Sequence, residues 1–144
     1  MRETKSAQAW MALRITFGLL PIAAGLDKFF NLLTSWEQYV SPLATAVLPL
    51  DAPVLMRGIG LVEVAVGLLI LSKWTRIGAY VASAWLVLIA VNLIATGHFF
   101  DIAARDLALA VGAIALARLQ EARTEVVAAP PRHGIRNYGS PAPG

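Results

Sequence analysis

The chain has 144 residues, of which 58% are hydrophobic and only 15% are charged, and its mean hydropathy is +0.66. Soluble domains average about 45–50% apolar and about 25% charged residues, so this balance indicates an integral membrane protein. Cysteine is absent, which excludes disulfides, thiolate metal sites and thiol redox chemistry within the chain. The net charge is +3, but the basic residues stand singly at the ends of apolar runs, so we expect no nucleic-acid partner.

Four apolar segments are long enough to cross a bilayer, since a hydrocarbon core about 30 Å thick needs roughly 20 residues of helix. The sequence therefore predicts an all-α fold, a four-helix transmembrane bundle, with spans at about 10–30, 53–72, 75–96 and 99–119. Residues 10–120 form the predicted membrane domain. Residues 1–9 are a predicted N-terminal segment, and 121–144 are a predicted disordered tail, because prolines and glycines follow with few large apolar residues.

The segment between the first two predicted spans is too polar and too interrupted by proline to cross the membrane. Trp36 and Tyr39 are spaced to lie at a membrane interface, where such amphipathic rings are enriched. We interpret this segment as an interfacial or re-entrant loop that caps one end of the bundle.

Lysine and arginine positions predict the orientation. Nine basic residues fall on one side of the four predicted spans and three on the other, so the positive-inside rule predicts that both termini are cytoplasmic. The nine are Arg2, Lys5, Arg14, Lys73, Arg76, Arg118, Arg123, Arg132 and Arg136, and the three are Lys28, Arg57 and Arg105. The chain is therefore predicted to be a multi-pass protein of the cytoplasmic membrane.

Polar groups from all four predicted spans reach a similar depth, near the midplane or in the outer half, when residues are counted inward at about 1.5 Å each. A charge at the bilayer centre costs at least about 2.5–3.5 kcal/mol, so such groups turn toward one another inside a bundle. The predicted cluster contains Asp27, Lys28, Arg57, Glu63, Asn92, Asp101, Arg105 and Asp106, with Trp36, Tyr39 and His98 at its mouth.

Three interpretations of this cluster stay open at the level of sequence. It is a ligand or proton site, a structural ion-pair network that fixes helix order, or an ordinary set of interfacial charges. Asp101 and Arg105 are four residues apart on the same helix face, which favours a local pair. Asp27 and Lys28 point about 100° apart, so each is expected to find a partner on another helix, or Lys28 is expected to reach toward the outer interface while Asp27 turns inward.

Glycines flank the acid of the second span. Gly60 and Gly67 lie three residues before and four after Glu63, which leaves a helix face that a neighbouring helix can approach closely. Gly18, Pro21 and Gly25 give the first span a similar small face.

Catalytic and metal-binding patterns are lacking in this sequence. It contains no glycine-rich phosphate loop and no nucleophile triad, and His98 has no second histidine within a span to share a metal or haem. We therefore predict no catalytic residue and no metal site, and do not expect the chain to be an enzyme by itself.

Three stretches together resemble the DoxX family of small bacterial and archaeal membrane proteins: GLDKFF, GLVEVAVGLLILSKWTRIGAY and RDLALAVGAIALARL. The similarity covers roughly residues 13–119. It implies a four-helix transmembrane fold in a bacterial or archaeal plasma membrane and a link to quinone-linked oxidation. Residues at the matching polar positions are Asp27, Lys28, Glu63, Arg105 and Asp106.

Two classes of function follow. In the first, the chain is a non-catalytic accessory or anchor subunit of a quinone-linked redox system, with a redox partner subunit and an outward-facing site for quinone or another small molecule. The alternative is a small homo-oligomeric carrier for a hydrophobic or anionic solute, with the small helix faces as oligomer contacts, or a membrane assembly factor.

Overall fold

The computed structural model describes residues 2–128, and this part of the chain is helical with no strand. It contains five α-helices and one short 3-10 helix. The α-helices are α1 (Arg2–Asp27), α2 (Pro42–Val47), α3 (Ala52–Leu71), α4 (Thr75–Ala95) and α5 (Phe100–Ala128), and the 3-10 helix is Trp36–Tyr39.

Three of these helices are long and apolar enough to cross a membrane: Thr4–Asp27 with 24 residues, Ala52–Leu71 with 20 and Thr75–Ala95 with 21. The membrane class predicted from composition is thereby confirmed. Helices α3 and α4 match the second and third predicted spans to within one residue at each end. Helix α1 begins at Arg2, so residues 2–9, predicted to precede the first span, already belong to its helix.

The fourth predicted span is not confirmed as a membrane segment. Helix α5 has 29 residues, but Asp101, Arg105 and Asp106 near its start and Arg118 beyond its middle leave a short apolar stretch. It also continues to Ala128, so residues 121–128, assigned from sequence to the tail, are helical. No proline or glycine interrupts that stretch before Pro130, which explains the extension. Residues 129–144 of the predicted tail lie outside the described residues.

Helices α1 and α3 pack closely through four glycines. A Cβ atom added at Gly25 would lie 2.5 Å from the Gly60 carbonyl oxygen, and one added at Gly60 would lie equally close to the Gly25 oxygen. Gly18 and Gly67 make a second crossing point one heptad away. The small faces predicted from sequence thus hold two helices of one chain together at backbone distance.

Helices α4 and α5 form the other closely packed pair. Their shared core is made mainly of alanine, whose small side chain allows close approach while favouring helix. The buried alanines are Ala79, Ala82, Ala90, Ala103, Ala110, Ala113 and Ala117. Ile70 of α3 and Leu116 of α5 are fully buried where the two pairs meet.

At the end of the molecule where α3 turns into α4, Arg14 caps α3. Its guanidinium donates to the carbonyl oxygens of Ile70 at 3.2 Å, Leu71, and Ser72 at 2.9 Å. The Thr75 hydroxyl also donates to the Ile70 oxygen, at 2.8 Å. A cation there complements the helix dipole and satisfies carbonyls that have no partner within the helix. This explains why an arginine is tolerated inside the apolar run of α1.

A candidate ligand cavity between two helix pairs

A cavity of about 680 Å³ lies between the α1/α3 pair and the α4/α5 pair, closed at one end by the loop that carries the 3-10 helix and α2. This volume falls within the range of small-molecule sites, about 300–1,000 Å³. Most of its wall is apolar, and its larger side chains include Phe17, Leu20, Leu55, Met56, Ile59, Val66, Leu86, Ile89 and Leu109.

The charged centre of the cavity wall is an ion pair between α3 and the turn that ends α1. Lys28 Nζ donates to Glu63 Oε2 at 2.6 Å, with the two side chains only 4% and 9% exposed. The glycine contacts between α1 and α3 bring the two helices close enough for this pair to form. A buried pair of this kind is strongly coupled, because either charge alone would be left without compensation.

Asp27, the sequence neighbour of Lys28, holds the loop instead of lining the cavity. Its carboxylate accepts the backbone N–H of Leu32 at 3.1 Å and of Leu33 at 3.0 Å. It also accepts the indole Nε1–H of Trp36 at 2.8 Å. The chain reverses here through Asn31, which has a φ of 52°, a conformation that asparagine tolerates better than most residues.

Trp36 covers the ion pair. Lys28 Nζ lies 3.6 Å from the centroid of the Trp36 ring, a cation–π distance. Because Asp27 holds the indole N–H, the ring is fixed over the ammonium group. Asp27, Trp36, Lys28 and Glu63 therefore form one connected chain of contacts from the loop to the middle of α3.

Asn92 fastens the other side of the loop to α4. Its side-chain oxygen accepts the Ser41 hydroxyl at 2.6 Å and the Ser41 N–H at 3.2 Å. Its side-chain N–H donates to the Tyr39 carbonyl at 2.7 Å. Ser41 in turn caps α2 by accepting the N–H of Ala44 at 3.1 Å. The loop is thus held to both helix pairs by buried or half-buried hydrogen bonds.

Helix α5 and the middle of α4 bring further polar groups to the cavity. Asp106 is half-buried, and Arg105, though exposed, also lines the wall. Among residues 2–128, Asp106 has neither a hydrogen bond nor an ion pair. The Nε1–H of Trp85 is buried in the wall, and no acceptor for it is found in the described part of the chain.

Besides Asp27, three of the predicted site residues lie outside the cavity. Arg57, Asp101 and His98 are exposed and absent from its wall. The expected pair between Asp101 and Arg105 is not among the ion pairs of residues 2–128; both side chains are exposed, where water solvates charges well and pairing gains little.

The predicted mouth residues are divided. Trp36 and Tyr39 line the cavity. His98 is exposed, and its ring neighbours that of Phe99, which in turn meets the Tyr39 ring edge-on at 4.8 Å between centroids.

Outside the spans, Glu37 accepts hydrogen bonds from its own backbone amide and from the Asn31 side chain, and these contacts lower the pKa of Glu37 below its ordinary 4.5.

The predicted site did not include three polar residues of the wall, Thr34, Ser41 and Trp85. A tryptophan within an apolar run, such as Trp85, carries no signal of what its indole N–H meets. The Ser41-Pro42 pair is a recognisable helix start, which signals the cap of α2. It does not signal the bond from Ser41 to Asn92.

No group of three or more metal-binding side chains occurs in the described range 2–128. The fold and the cavity together define a polytopic helical membrane protein with a largely apolar pocket between its helices that contains a few polar and charged groups. Within that class, residues 6–105 match the family model described as methylamine utilisation protein MauE. The chain belongs to this family. No curated protein and no solved structure matches it.

The family match corrects the resemblance to DoxX, which was wrong because MauE is a different family. Gly-rich apolar runs carrying one acid, such as GLVEVAVG, recur wherever membrane helices pack closely, so they do not distinguish one family of small membrane proteins from another.

Proposed function

We propose that this protein is a non-catalytic membrane subunit that holds a small, neutral, largely apolar molecule with a hydrogen-bond acceptor at one end. The observation that carries the proposal is the cavity of about 680 Å³, whose apolar wall contains the buried Lys28–Glu63 pair. Apolar pockets with a few fixed polar groups are typical of small-molecule sites.

The charges of the wall favour a neutral ligand over an anion. Glu63 already compensates Lys28, and Asp106 adds a second acid to the same wall. An anion would therefore meet no unpaired buried cation. A carbonyl oxygen, in contrast, could accept the free indole N–H of Trp85 or a remaining N–H of Lys28.

A quinone has this combination of an apolar body and carbonyl acceptors, and we propose it as the ligand class. The family description refers to methylamine utilisation, and oxidation of an amine releases electrons that an acceptor must take up. Because the chain contains no cysteine and no cluster of metal ligands within residues 2–128, a partner subunit would supply the electrons and this chain would hold the quinone.

We further infer that α5 crosses the membrane as the fourth helix of a bundle. Its close packing against α4 and its contribution of Asp106 to the cavity support this arrangement, since charges turned toward an internal pocket are tolerated in a spanning helix. Both termini would then lie on the same side, and the basic residues favour the cytoplasm.

The direct test is binding of a short-chain quinone, decylubiquinone, to the purified full chain in nanodiscs, followed by tryptophan fluorescence. Trp36 and Trp85 both line the cavity, so a bound quinone should quench emission saturably. Trp85→Phe should weaken binding about five- to tenfold, which corresponds to one hydrogen bond of about 1–1.5 kcal/mol. Trp74→Phe, which changes an exposed tryptophan far from the cavity, is the matched control.

Glu63→Gln separates a binding role from a structural one. We expect it to weaken quinone binding by at least tenfold and to lower the melting temperature by much less than Lys28→Met does, since glutamine keeps an acceptor for Lys28. Equal losses of binding and stability would contradict the proposal and leave the pair as a structural network. Absence of saturable quenching in the unaltered protein would contradict it as well.

A carrier is the second candidate, favoured by Asp106, which lines the cavity without an ion pair among the described residues. Such an acid suits a proton-coupled cycle. Uptake of a labelled apolar solute into proteoliposomes, abolished by Asp106→Asn, would support it. The glycine faces of α1 and α3, which the sequence offers as oligomer contacts, pack against each other within one chain.

A further inference from the structure

A second polar site lies at the opposite end of the molecule from the loop. It is a shallow depression of about 380 Å³ beside the turn between α3 and α4. Its wall consists of Lys73, Trp74, Arg76, Ile77, Gln120 and Thr124, with no acidic side chain among them.

The two cations of this depression have no structural task within the described chain. Lys73 and Arg76 are exposed and make neither a hydrogen bond nor an ion pair with residues 2–128. The α3 carbonyls that they could have capped are already taken by Arg14. The nearby acid Glu121 is occupied by Arg118 at 3.1 Å and by the Tyr80 hydroxyl, also at 3.1 Å.

Other donors in the wall point to an oxygen-rich anion. The side-chain oxygen of Gln120 accepts the Trp10 indole N–H at 2.8 Å, which leaves the amide N–H groups of Gln120 to donate elsewhere. Trp74 is 51% exposed. An exposed tryptophan beside two cations, at the point where two membrane-spanning helices meet, is the arrangement expected at the headgroup level of a bilayer.

We propose that this depression binds the phosphate group of an anionic phospholipid. The position decides between lipid and soluble phosphate: α3 ends at Leu71 and α4 begins at Thr75, both helices being candidate membrane spans, so the depression lies at the membrane surface. Lys73 and Arg76 meet the phosphate, while Trp74 and Ile77 contact the glycerol and upper acyl chain.

Native mass spectrometry of the purified full chain, titrated with phosphatidylglycerol or phosphatidylcholine in mild detergent, tests this proposal. We expect phosphatidylglycerol to be retained more tightly. Lys73→Gln and Arg76→Gln should each weaken its binding about fivefold and the double variant roughly 25-fold, because each basic residue near an anionic surface contributes comparably. Phosphatidylcholine carries the same phosphate together with a positive choline, so it should bind more weakly and lose less when Lys73 and Arg76 are replaced.

Arg57→Gln is the matched control, since it removes one exposed positive charge at the far end of α3. An equal loss in this control, or full retention of phosphatidylglycerol by the double variant, would overturn the proposal. Glycerol phosphate provides the remaining comparison. If it displaces the lipid at millimolar concentration, the site recognises a soluble phosphate and the lipid assignment is wrong.

Discussion

Asp27 and Lys28 are adjacent in the sequence but serve different halves of the structure. Asp27 accepts hydrogen bonds from three N–H groups of the loop, and Lys28 forms an ion pair with Glu63 of α3. The sequence places both acid and base at the depth of the other polar groups, but the division of tasks depends on where the loop turns. That turn is made by Asn31 with a positive φ, which the residue type alone does not dictate.

Removing one member of the buried pair should cost more stability than removing both. Lys28→Met leaves Glu63 without its partner, and we expect a loss of about 3 kcal/mol in the free energy of unfolding. The double variant Lys28→Met/Glu63→Gln should recover more than half of that loss, as measured by reversible unfolding in detergent. A double variant less stable than the single one would show that the pair contributes independently of charge compensation.

Asp27→Asn should loosen the loop without disturbing the helices. The carboxylate uses one oxygen for Leu32 and the other for Leu33 and Trp36. An asparagine offers a single acceptor oxygen, so the two sets of bonds cannot persist together. Faster hydrogen exchange of residues 32–41 is the expected result, while α4 amides stay protected. Gln38→Ala, which removes only the exposed side-chain bond to the Thr34 hydroxyl, serves as the control for general loop damage. Equal exchange in both variants would contradict the role given to Asp27.

At the scale of elements, the long apolar helices were predictable and the contacts between them only in part. The limits of α3 and α4 follow from apolar runs that end at Ser72-Lys73 and near Thr96-Gly97. The glycines predicted close packing, but not that α1 and α3 would be each other's partners. The Lys28–Glu63 contact depends on α1 and α3 packing together in this register. The sequence therefore predicts how deep each charged residue lies in the membrane, but not which residue it pairs with.

Gly25→Ala should destabilise the α1–α3 contact strongly. The added methyl group would meet the Gly60 carbonyl oxygen at 2.5 Å, and backbone on both sides resists movement. We expect a loss of about 2–3 kcal/mol, in the range of overpacked cores. Gly58→Ala on the exposed face of α3 meets nothing within 4 Å and should instead be neutral or stabilising by about 0.5–1 kcal/mol. Similar melting temperatures for the two variants would contradict the close contact.

At the scale of the whole molecule, the composition and the apolar runs of α3 and α4 are enough to predict a membrane protein. The family and the extent of α5 could not be predicted from the sequence. Small apolar helices with scattered glycines look alike across families, which led to the wrong family. Helix α5 continues beyond Glu121 to Ala128, because no proline or glycine interrupts the chain there, although few large apolar residues follow.

The cysteine-free chain allows the crossing by α5 to be tested with single cysteines and an impermeant maleimide on intact spheroplasts. Substitutions Thr45→Cys and His98→Cys at exposed positions near the loop should be labelled directly. Ser6→Cys and Ala122→Cys, both exposed, should react only after permeabilisation. Direct labelling at position 122 together with 98 would show that α5 does not span. Direct labelling at positions 6 and 122, with 45 and 98 protected, would reverse the predicted orientation.

The close contact between α1 and α3 at Gly18, Gly25, Gly60 and Gly67 also limits how these two helices can move. The backbones of α1 and α3 touch at two points one heptad apart, so neither helix can slide or roll past the other without collision. These two helices therefore form one stiff half of the molecule, and the alanine-packed helices α4 and α5 form the other half. We therefore expect the cavity to widen or narrow chiefly by rotation of one half against the other about the short turn between α3 and α4. Asp27 holds the loop to one half and Asn92 holds it to the other, so the length of the loop should limit how far the halves can separate.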